Sequence, residues 1–428
     1  MGTDSARTLP LPLAQFGAID KLSRARLLQQ MSLLRDSQLR IVDPMGESVL
    51  GTATDDDAAT LRATVWINDP AFYRYVAANG SVGAGEAFMD GLWQCDDLVA
   101  LMRMLVRNRD LLDAMESGPA RLAGMVMRAW HALRRNTRNG SRKNIAAHYD
   151  LGNDFFSLFL DDNLMYSSAI FASETDTLEQ ASARKLDRIC RKLELHPRDR
   201  VVEIGTGWGG FALHAAKNFG CHITTATISR EQYDLARRRV QENGLGDRVT
   251  VVLEDYRDLQ GRFDKLVSIE MIEAIGHQYL REYFGKVSAL LEPNGMALIQ
   301  AITIEDHRYE QALRAVDFIK RYIFPGSFIP SVSAMMSTAA QSSDLKLFHC
   351  EDIGSSYALT LAAWRERFHR RIADVRTLGY DERFARMWDF YLAYCESGFR
   401  ERSTGNVQML LVKPGCRRAP FLPDIASP

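Results

Sequence analysis

The stretch VVEIGTGWGGFALHAA, Val201–Ala216, decides the fold. A short run of β-branched residues leads into Gly205–Gly210, where four of six residues are glycine. Apolar residues then recur at helical spacing, at Phe211, Ala212, Ala215 and Ala216. The stretch therefore predicts a buried strand, a tight glycine turn and the start of a helix. Glycines in such a turn accept positive φ and let a ligand approach the main chain, which is typical of a nucleotide-like cofactor site.

Strand-like runs and helix-like segments alternate around this turn. The strand-like runs are 201–204, 222–227, 249–255, 265–270 and 296–303. This alternation predicts an α/β fold with a parallel sheet and helices on both sides. Ligands of such sheets bind beyond the carboxyl ends of the strands. We therefore expect the glycine turn, Thr227, Asp255 and Glu273 to line one rim.

Composition limits the class of protein. The chain has 428 residues, 46% hydrophobic and 25% charged, which predicts a globular protein of two domains. A formal net charge of −1 gives no overall field that would attract nucleic acid. No apolar run approaches the roughly 20 residues that cross a bilayer, and the N-terminus lacks a secretory pattern. The six scattered cysteines show no CxxC spacing, so we expect reduced thiols, no metal site and a cytoplasmic protein.

The sequence pattern divides the chain into five segments. Residues 1–15 are expected to be a disordered lead, and 16–115 a small N-terminal α+β domain with strand-like runs near 38–43 and 61–67. A basic helical linker, 116–145, follows. The strand–helix alternation occupies 146–414, and 415–428 is expected to be a frayed tail.

The linker carries an unusual charge pattern. Residues 117–148 contain several arginines and no acidic residue, with apolar residues interleaved at roughly helical spacing. One interpretation is a basic amphipathic segment, centred on 121–143, that contacts anionic phospholipid headgroups. The other is a solvated helix whose arginines pair with acids elsewhere in the chain.

The glycine turn also restricts the choice of cofactor. Gly205, Gly207 and Gly210 formally satisfy GxGxxG, but a dinucleotide site also needs an acidic residue at the end of the second strand. That strand ends instead in Thr-Ile-Ser, 227–229, and no phosphate-binding P-loop motif is present. Glu203, just before the turn, suits a cationic group such as the ammonium of an amino-acid moiety. These residues favour S-adenosylmethionine over NAD.

Several ordered blocks carry a more specific signal. The chain resembles the cyclopropane-fatty-acyl-phospholipid synthases and the related mycolic-acid methyltransferases over about Ser141–Lys413. The matching blocks are NIAAHYDLGNDFFSLFLDDNLMYSSAIF (144–171), VVEIGTGWGG (201–210), TISREQ (227–232), IEMIEAIG (269–276), KRYIFPG (320–326) and YALTLAAWRERF (357–368), with a weaker match at GEAFMDGLW (85–93).

This resemblance implies a Rossmann-like class I S-adenosylmethionine methyltransferase domain with a mixed, mostly parallel sheet of seven strands. It further implies methyl transfer to double bonds in the acyl chains of phospholipids. The cofactor contacts that we expect, with Glu203 added from the argument above, are Tyr166, Ser167, Glu203, Gly205, Thr206, Gly207, Trp208, Gly209, Thr227, Ile228, Ser229, Gln232, Tyr256 and Arg257.

The resemblance also implies a bound bicarbonate that removes a proton from a carbocation. Family members hold it with a Cys, a Glu, a His, a main-chain group at an Ile, and a Tyr. The matching residues here are Ser168, Glu273, Gln300, Ile302 and Tyr357. Ser168 and Gln300 depart from the pattern, although a serine hydroxyl and a glutamine amide can each donate to an anion. If bicarbonate is absent, we expect Glu273 to be the base, with its pKa raised by an apolar cavity.

Product and partners remain open at this level. Loss of a proton from the transferred methyl closes a cyclopropane ring, which is the outcome that the resemblance implies. Loss from a neighbouring chain carbon gives a methylene- or methyl-branched chain instead, and a soluble small-molecule substrate is a third possibility. We expect a peripheral enzyme at the inner face of the membrane with an unsaturated acyl-chain substrate, no nucleic-acid partner and possible homodimers.

Overall fold

The computed structural model describes residues 16–54, 59–111 and 151–421. The contacts within the chain divide it into two compact units, 1–127 with 379–397 and 128–378 with 398–428. The proposed lead, 1–15, and the basic linker, 116–145, lie outside the described residues. The division of the chain at that linker therefore stays a prediction.

The first unit contains a four-stranded sheet and helices. Its strands are β1 (Ser37–Asp43), β2 (Gly46–Leu50), β3 (Leu61–Ile67) and β4 (Trp93–Cys95), in the order β2-β1-β3-β4. Helices span Ala18–Met31, Ala71–Met89 and Leu98–Arg107, and most of helix Glu382–Arg400 belongs to this unit. Ala63, Val65 and Ile67 alternate as buried residues along β3, as their sequence pattern indicates.

The second unit contains a seven-stranded sheet. Its strands are β5 (Arg200–Ile204), β6 (His222–Thr227), β7 (Val249–Leu253), β8 (Phe263–Ile269), β9 (Leu291–Ile304), β10 (Lys346–Asp352) and β11 (Thr404–Val412). The helices of this unit span Asn153–Ser157, Leu178–Lys192, Gly210–Phe219, Arg230–Glu242, Leu280–Ala289, Tyr309–Arg314, Val332–Ser342, Gly354–Arg370 and Ile372–Thr377.

The strand order is β10-β11-β9-β8-β5-β6-β7. The five strands from β9 to β7 run parallel, whereas β11 runs antiparallel to both β9 and β10. This confirms the predicted α/β class and the mostly parallel seven-stranded sheet. Because the parallel strands share one direction, the residues after β5, β6, β7 and β8 meet at one edge.

Alternating residues of the central strand face two separate apolar layers. Val202 and Ile204 pack in one buried cluster with residues of helices Leu280–Ala289 and Val332–Ser342. Val201 lies in the other cluster, with residues of helices Leu178–Lys192 and Gly210–Phe219. Both faces of the sheet are therefore covered, which explains why β5 carries apolar residues on both of its faces. Within the described ranges, no helix combines the length and apolarity needed to cross a membrane.

Candidate active site

The glycine turn leaves its main chain open to a ligand. Gly205, Gly207 and Gly209 have φ values of +98°, +52° and +85°, which side-chain-bearing residues rarely adopt. The N–H groups of Gly205 and Thr206 both donate to the Ala226 carbonyl of β6, at 3.0 and 3.1 Å. A Cβ added at Gly207 would have no heavy atom within 4 Å. The first two residues of the turn are therefore bound to β6, whereas Gly207 at its tip is open to a ligand.

Gly205 and Gly210 are also required because other side chains pack closely against them. A Cβ at Gly205 would lie 3.1 Å from Cγ of Met271, and one at Gly210 would lie 2.5 Å from Sδ of Met165. Gly210 begins the helix Gly210–Phe219. These contacts bring the segments after β8 and before Ser167 against the glycine turn, and any larger residue would separate them.

Glu203 lies beneath the turn rather than at its surface. Its side chain is 2% exposed, and the Thr225 hydroxyl donates to its Oε2 at 2.6 Å. Thr225 Oγ1 also lies 2.8 Å from Oγ1 of Thr206. Burial raises the pKa of Glu203 to about 8. Glu203 thus ties the turn to β6, and a contact with a cofactor ammonium remains a proposal.

The predicted contacts at the end of β6 form a network of their own. Thr227 Oγ1 donates to Oε1 of Gln232 at 2.9 Å and accepts from the Ser229 N–H at 3.1 Å. The Ser229 hydroxyl oxygen accepts from the Gln232 N–H at 3.3 Å and caps helix Arg230–Glu242. This network places Ile228, between Thr227 and Ser229, at the same edge of the sheet as the glycine turn.

Tyr256 and Arg257 follow β7 at that same edge. Arg257 forms a bidentate ion pair with Asp255, with Nε–Oδ1 and Nη2–Oδ2 distances of 2.8 and 2.6 Å. Tyr256 packs edge-on against Tyr283, and its shielded hydroxyl has no hydrogen-bond partner among the described residues. Burial raises the pKa of Tyr256. Its ring and unsatisfied hydroxyl fit a flat, polar ligand group such as adenosine.

Tyr166 and Ser167 have different surroundings. The Tyr166 ring lies 5.1 Å from Phe156, 5.3 Å from Trp364 and 6.3 Å from Phe324, centroid to centroid. The Ser167 hydroxyl oxygen accepts from Nζ of Lys185 at 2.7 Å.

Lys185 and Trp208 are buried residues that make polar contacts around Tyr166 and Ser167. Lys185 is fully buried, and this burial lowers its pKa to about 8. Trp208, 2% exposed, donates from Nε1 to Oδ1 of Asn153 at 2.6 Å. Both residues therefore hold the walls of the site by buried polar contacts.

Glu270, the residue directly after β8, is the centre of the polar site. Its Oε1 accepts from the Ser168 N–H at 3.0 Å, from Gln300 Nε2 at 2.8 Å and from Asn406 Nδ2 at 2.6 Å. Its Oε2 accepts from the Tyr357 hydroxyl at 2.8 Å. Three residues that sequence comparison assigned to a bicarbonate site thus converge on a carboxylate of the chain itself.

Gln300 donates to Glu270 through its side-chain amide, whereas Ser168 donates to it through its main-chain N–H. The Ser168 hydroxyl donates to the carbonyl of Ala169 at 3.0 Å, and it is the main-chain N–H that reaches Glu270. Gln300 is fully buried, and its Oε1 accepts from Gln408 Nε2 at 3.0 Å. Lys192 in turn donates to Oε1 of Gln408 at 2.8 Å. This chain of bonds turns the Gln300 amide nitrogen towards Glu270.

Glu273 follows Glu270 by three residues and lies in the short 3-10 helix Ile272–Ala274. Its Oε1 accepts from the Ile302 N–H at 2.5 Å, and its shielded Oε2 has no hydrogen-bond partner among the described residues. Burial, and next the negative charge of Glu270, raise the pKa of Glu273 to about 8. The main-chain N–H of Phe328 donates to the Glu273 carbonyl at 3.1 Å, so the segment between β9 and helix Val332–Ser342 borders the site.

Sequence reasoning missed Glu270 and Asn406. Glu270 stands in the quoted block IEMIEAIG, directly at the predicted end of a strand, and that position was the available signal. Asn406 lies on β11, which was not among the predicted strands, so no local pattern could place it here.

A mostly parallel seven-stranded sheet with this open glycine turn defines a class I S-adenosylmethionine-dependent methyltransferase. Residues 136–409 match the family model described as mycolic acid cyclopropane synthetase. The chain belongs to this family. Two solved structures share the fold at a TM-score of 0.60 and 27% identity: the cyclopropane synthase MmaA2 from Mycobacterium tuberculosis, and the mycolic acid cyclopropane synthase CmaA1 complexed with SAH and CTAB. Each match covers 64% of this chain and 98% of the other.

Two curated relatives align over most of the chain. The tuberculostearic acid methyltransferase UfaA1 of Mycobacterium tuberculosis is 39% identical over 388 residues, which is 85% of this chain and 86% of the relative. The cyclopropane-fatty-acyl-phospholipid synthase of Escherichia coli is 34% identical over 377 residues, 88% of this chain and 93% of the relative. The chain is therefore an S-adenosylmethionine-dependent enzyme of this family, as its sequence predicts.

Proposed function

We propose that this enzyme methylates the double bond of unsaturated acyl chains in membrane phospholipids and closes a cyclopropane ring. The observation that carries the proposal is the pair Glu270 and Glu273 beside the glycine turn, because a carbocation needs nearby negative charge and a proton acceptor. The name of the E. coli relative includes both the phospholipid substrate and the cyclopropane product, and this relative aligns over 88% of the chain.

S-adenosylmethionine supplies an electrophilic methyl group when bound. An isolated alkene is a weak nucleophile, so the chain must align the two reactants and exclude water that would trap the cation. Tyr166, Phe156, Trp364 and Phe324 provide aromatic faces for this purpose. Such faces attract positive charge as well as apolar chains, which suits a carbocation on an acyl chain.

The glycine turn, the Thr227–Gln232 network and Tyr256 are proposed to hold the cofactor. Gly207 offers an open main chain, and Tyr256 offers a ring with an unsatisfied hydroxyl. Glu203 stabilises the turn from below by its bond with Thr225. An open main chain, an aromatic ring and an unsatisfied hydroxyl suit the polar and flat groups of S-adenosylmethionine.

Bicarbonate fits this site less well. The Gln300 amide and the Tyr357 hydroxyl, which were expected to hold it, already donate to Glu270. The Ser168 hydroxyl, also expected there, donates to the Ala169 carbonyl, and the Ser168 main-chain N–H donates to Glu270. The Ile302 N–H donates to Glu273. We therefore assign no step to bicarbonate.

A second product is favoured by one comparison. UfaA1, 39% identical to this chain, is named a methyltransferase and not a cyclopropane synthase. A methyl-branched alkene results from the same cation when the proton leaves a chain carbon instead of the new methyl. A methylene branch results when a hydride first shifts to the cationic carbon from its methylated neighbour and the new methyl then loses the proton. Peripheral binding to anionic membranes through residues 121–143 and homodimer formation are further proposals, which rest on sequence alone.

The test incubates the protein and S-adenosylmethionine with vesicles of unsaturated phospholipid, followed by mass spectrometry of the fatty acids. We expect a mass gain of one CH₂ unit, with none in saturated vesicles. Proton NMR then distinguishes ring hydrogens from methylene hydrogens. No gain despite measured cofactor binding, or a gain only with a soluble substrate, would overturn the proposal.

A further inference from the structure

The donors around Glu270 are those that its relatives are expected to use for a free anion. Of the five residues assigned to bicarbonate by resemblance, three donate to Glu270: Gln300 and Tyr357 through their side chains, and Ser168 through its main-chain N–H. Asn406 adds a fourth donor at 2.6 Å. An ionised carboxylate is an acceptor only, with two oxygens that can together satisfy four donors. The site thus already contains the anion for which its donors are arranged.

We infer that the Glu270 carboxylate replaces bicarbonate as the proton acceptor, so that this enzyme carries its base within its own chain. The inference rests on the proposed function, because it concerns the proton that the cationic acyl chain loses. It differs from the bicarbonate site that the sequence resemblance implies, and it also replaces Glu273 as the base.

The occupied donors argue against a second anion in the same place. Bicarbonate would have to share the N–H and O–H groups that Glu270 already uses, and it would lie beside a second negative charge. The remaining expected donor, the Ile302 N–H, is bound to Glu273 at 2.5 Å. All four of these donors are therefore taken by the carboxyl groups of the chain.

The backbone supports a specific role for this side chain. Glu270 has a φ of +49°, a conformation in which glycine is favoured, and only four other non-glycine residues of the described chain have positive φ. Strained residues of this kind persist where the surrounding structure holds them, and they concentrate at functional sites. Here the strained residue places a carboxylate directly after β8, at the carboxyl edge of the parallel strands.

The two oxygens of Glu270 differ in their capacity to accept a proton. Oε1 accepts three hydrogen bonds, whereas Oε2 accepts one, from Tyr357, within the described residues. In the proposed step a C–H bond of the cationic chain breaks, and its electron pair forms the new C–C bond of the ring or a C=C bond. The proton passes to Oε2, and the carboxylate becomes a neutral acid.

Glu273 is less suited to this step. With a pKa of about 8, it is largely protonated near pH 7, and a protonated carboxyl group cannot accept the proton. It can instead keep its bond with the Ile302 N–H and limit the negative charge beside Glu270.

The test compares the wild type with Glu270→Gly, because glycine suits the positive φ and opens space for a free anion. Glu194→Gly is the matched control: Glu194 also has positive φ, +52°, and its exposed side chain pairs with Arg418. Binding of ¹³C-bicarbonate is measured by NMR, cofactor affinity by calorimetry, and turnover in buffer freed of carbon dioxide with and without added bicarbonate.

We expect wild type and Glu194→Gly to bind no bicarbonate and to turn over equally with and without it. Glu270→Gly should keep cofactor affinity, bind bicarbonate and lose about 100-fold or more in turnover, with partial recovery on adding bicarbonate. Bicarbonate binding by the wild type, or unchanged turnover in Glu270→Gly, would overturn the inference.

The binding measurement separates this inference from the proposed function. If the wild type methylates no phospholipid, the proposed function fails, whereas the ¹³C-bicarbonate experiment still gives its answer without turnover. Bicarbonate bound by Glu270→Gly and not by the wild type supports Glu270 as the built-in anion. Binding by both proteins, or by neither, counts against it.

Discussion

The Tyr357 hydroxyl donates to Oε2 of Glu270 at 2.8 Å and joins helix Gly354–Arg370 to the end of β8. The Tyr357 ring is itself held by stacking on Phe399 at a centroid distance of 4.4 Å and by edge contact with Trp364. The hydroxyl position is therefore set by apolar packing, and the Glu270 carboxylate is oriented by it. This arrangement allows the hydrogen bond to be removed while the ring stays in place.

Tyr357→Phe should lower turnover by about 10- to 100-fold, because a hydrogen bond to a charged group contributes about 1.5–3 kcal/mol. Cofactor affinity and melting temperature should change little, since the ring contacts remain. Tyr75→Phe is the matched control, because Tyr75 also donates to a carboxylate, Asp90, at 3.3 Å in the first unit. Equal turnover in Tyr357→Phe and wild type, measured by mass spectrometry of the lipids, would contradict the role of Tyr357.

Gly207→Ala should weaken cofactor binding. Its φ of +52° is unfavourable for alanine by about 1–2 kcal/mol, and the added methyl group would project into the space that a ligand is expected to fill. Gly244→Ala provides the control, because Gly244 has a φ of +66° and equally open surroundings after helix Arg230–Glu242. Calorimetry should show a lower affinity for S-adenosylmethionine in Gly207→Ala alone, with similar losses of stability in both variants. Similar affinities in the two variants would exclude the turn as the cofactor site.

Glu273→Gln should change the pH dependence of stability. Because the folded state raises the pKa of Glu273 from 4.5 to about 8, the folded state binds the proton more tightly than the unfolded chain. The stability contributed by this group is therefore complete below pH 4.5 and is lost as pH rises towards and through 8. Glutamine imitates the protonated form, so the variant should gain in relative stability over this interval. Denaturant unfolding of both proteins at several pH values measures the difference, and a constant difference would show that the group does not titrate there.

Gln408→Met should reduce kcat with little effect on the lipid KM. Gln408 is fully buried and donates to Oε1 of Gln300, so its loss frees the Gln300 amide to rotate away from Glu270. Loss of one buried hydrogen-bond partner should also cost about 1–3 kcal/mol of stability. Steady-state kinetics with unsaturated vesicles distinguishes this positioning role, since a purely structural defect would lower the amount of folded protein and leave kcat per folded molecule unchanged.

Replacing Arg134, Arg135 and Arg138 by glutamate should weaken binding to anionic vesicles. Each basic residue near an anionic membrane surface contributes about 1 kcal/mol, and the attraction decreases as salt increases. Vesicle cosedimentation at low and high salt gives the measurement, with neutral phosphatidylcholine vesicles as the reference. Binding that is unchanged by the substitutions would favour the interpretation of this segment as a solvated helix.

The sequence predicts the sheet well because its strands carry local signals. The alternation around Val201–Ala216 specifies the class, and the parallel strands β5 to β9 lie where apolar runs predict them. The strands β10 and β11 were missed, because their pairing with each other and with β9 is made between distant parts of the chain.

Gln300 and Tyr357 were proposed as residues of the site, but Glu270, on which both converge, was not. Gln300 and Tyr357 were identified as donors, but their common acceptor was expected to be a free anion. The nature of that acceptor depends on where the strained backbone of Glu270 directs its side chain, and no spacing rule gives this direction. Glu203 shows the same limit, because its burial beneath the turn follows from the packing of Thr225 on the next strand.

The position of β11 in the sheet determines when the polar centre can form during synthesis of the chain. β11 is the last described strand in the chain, yet it lies between β9 and β10 and supplies Asn406 and Gln408 to the polar centre. A growing polypeptide on the ribosome can already contain the glycine turn and Glu270 while these two partners are still missing. The polar centre is therefore complete only when residues 404–412 have emerged and inserted between β9 and β10.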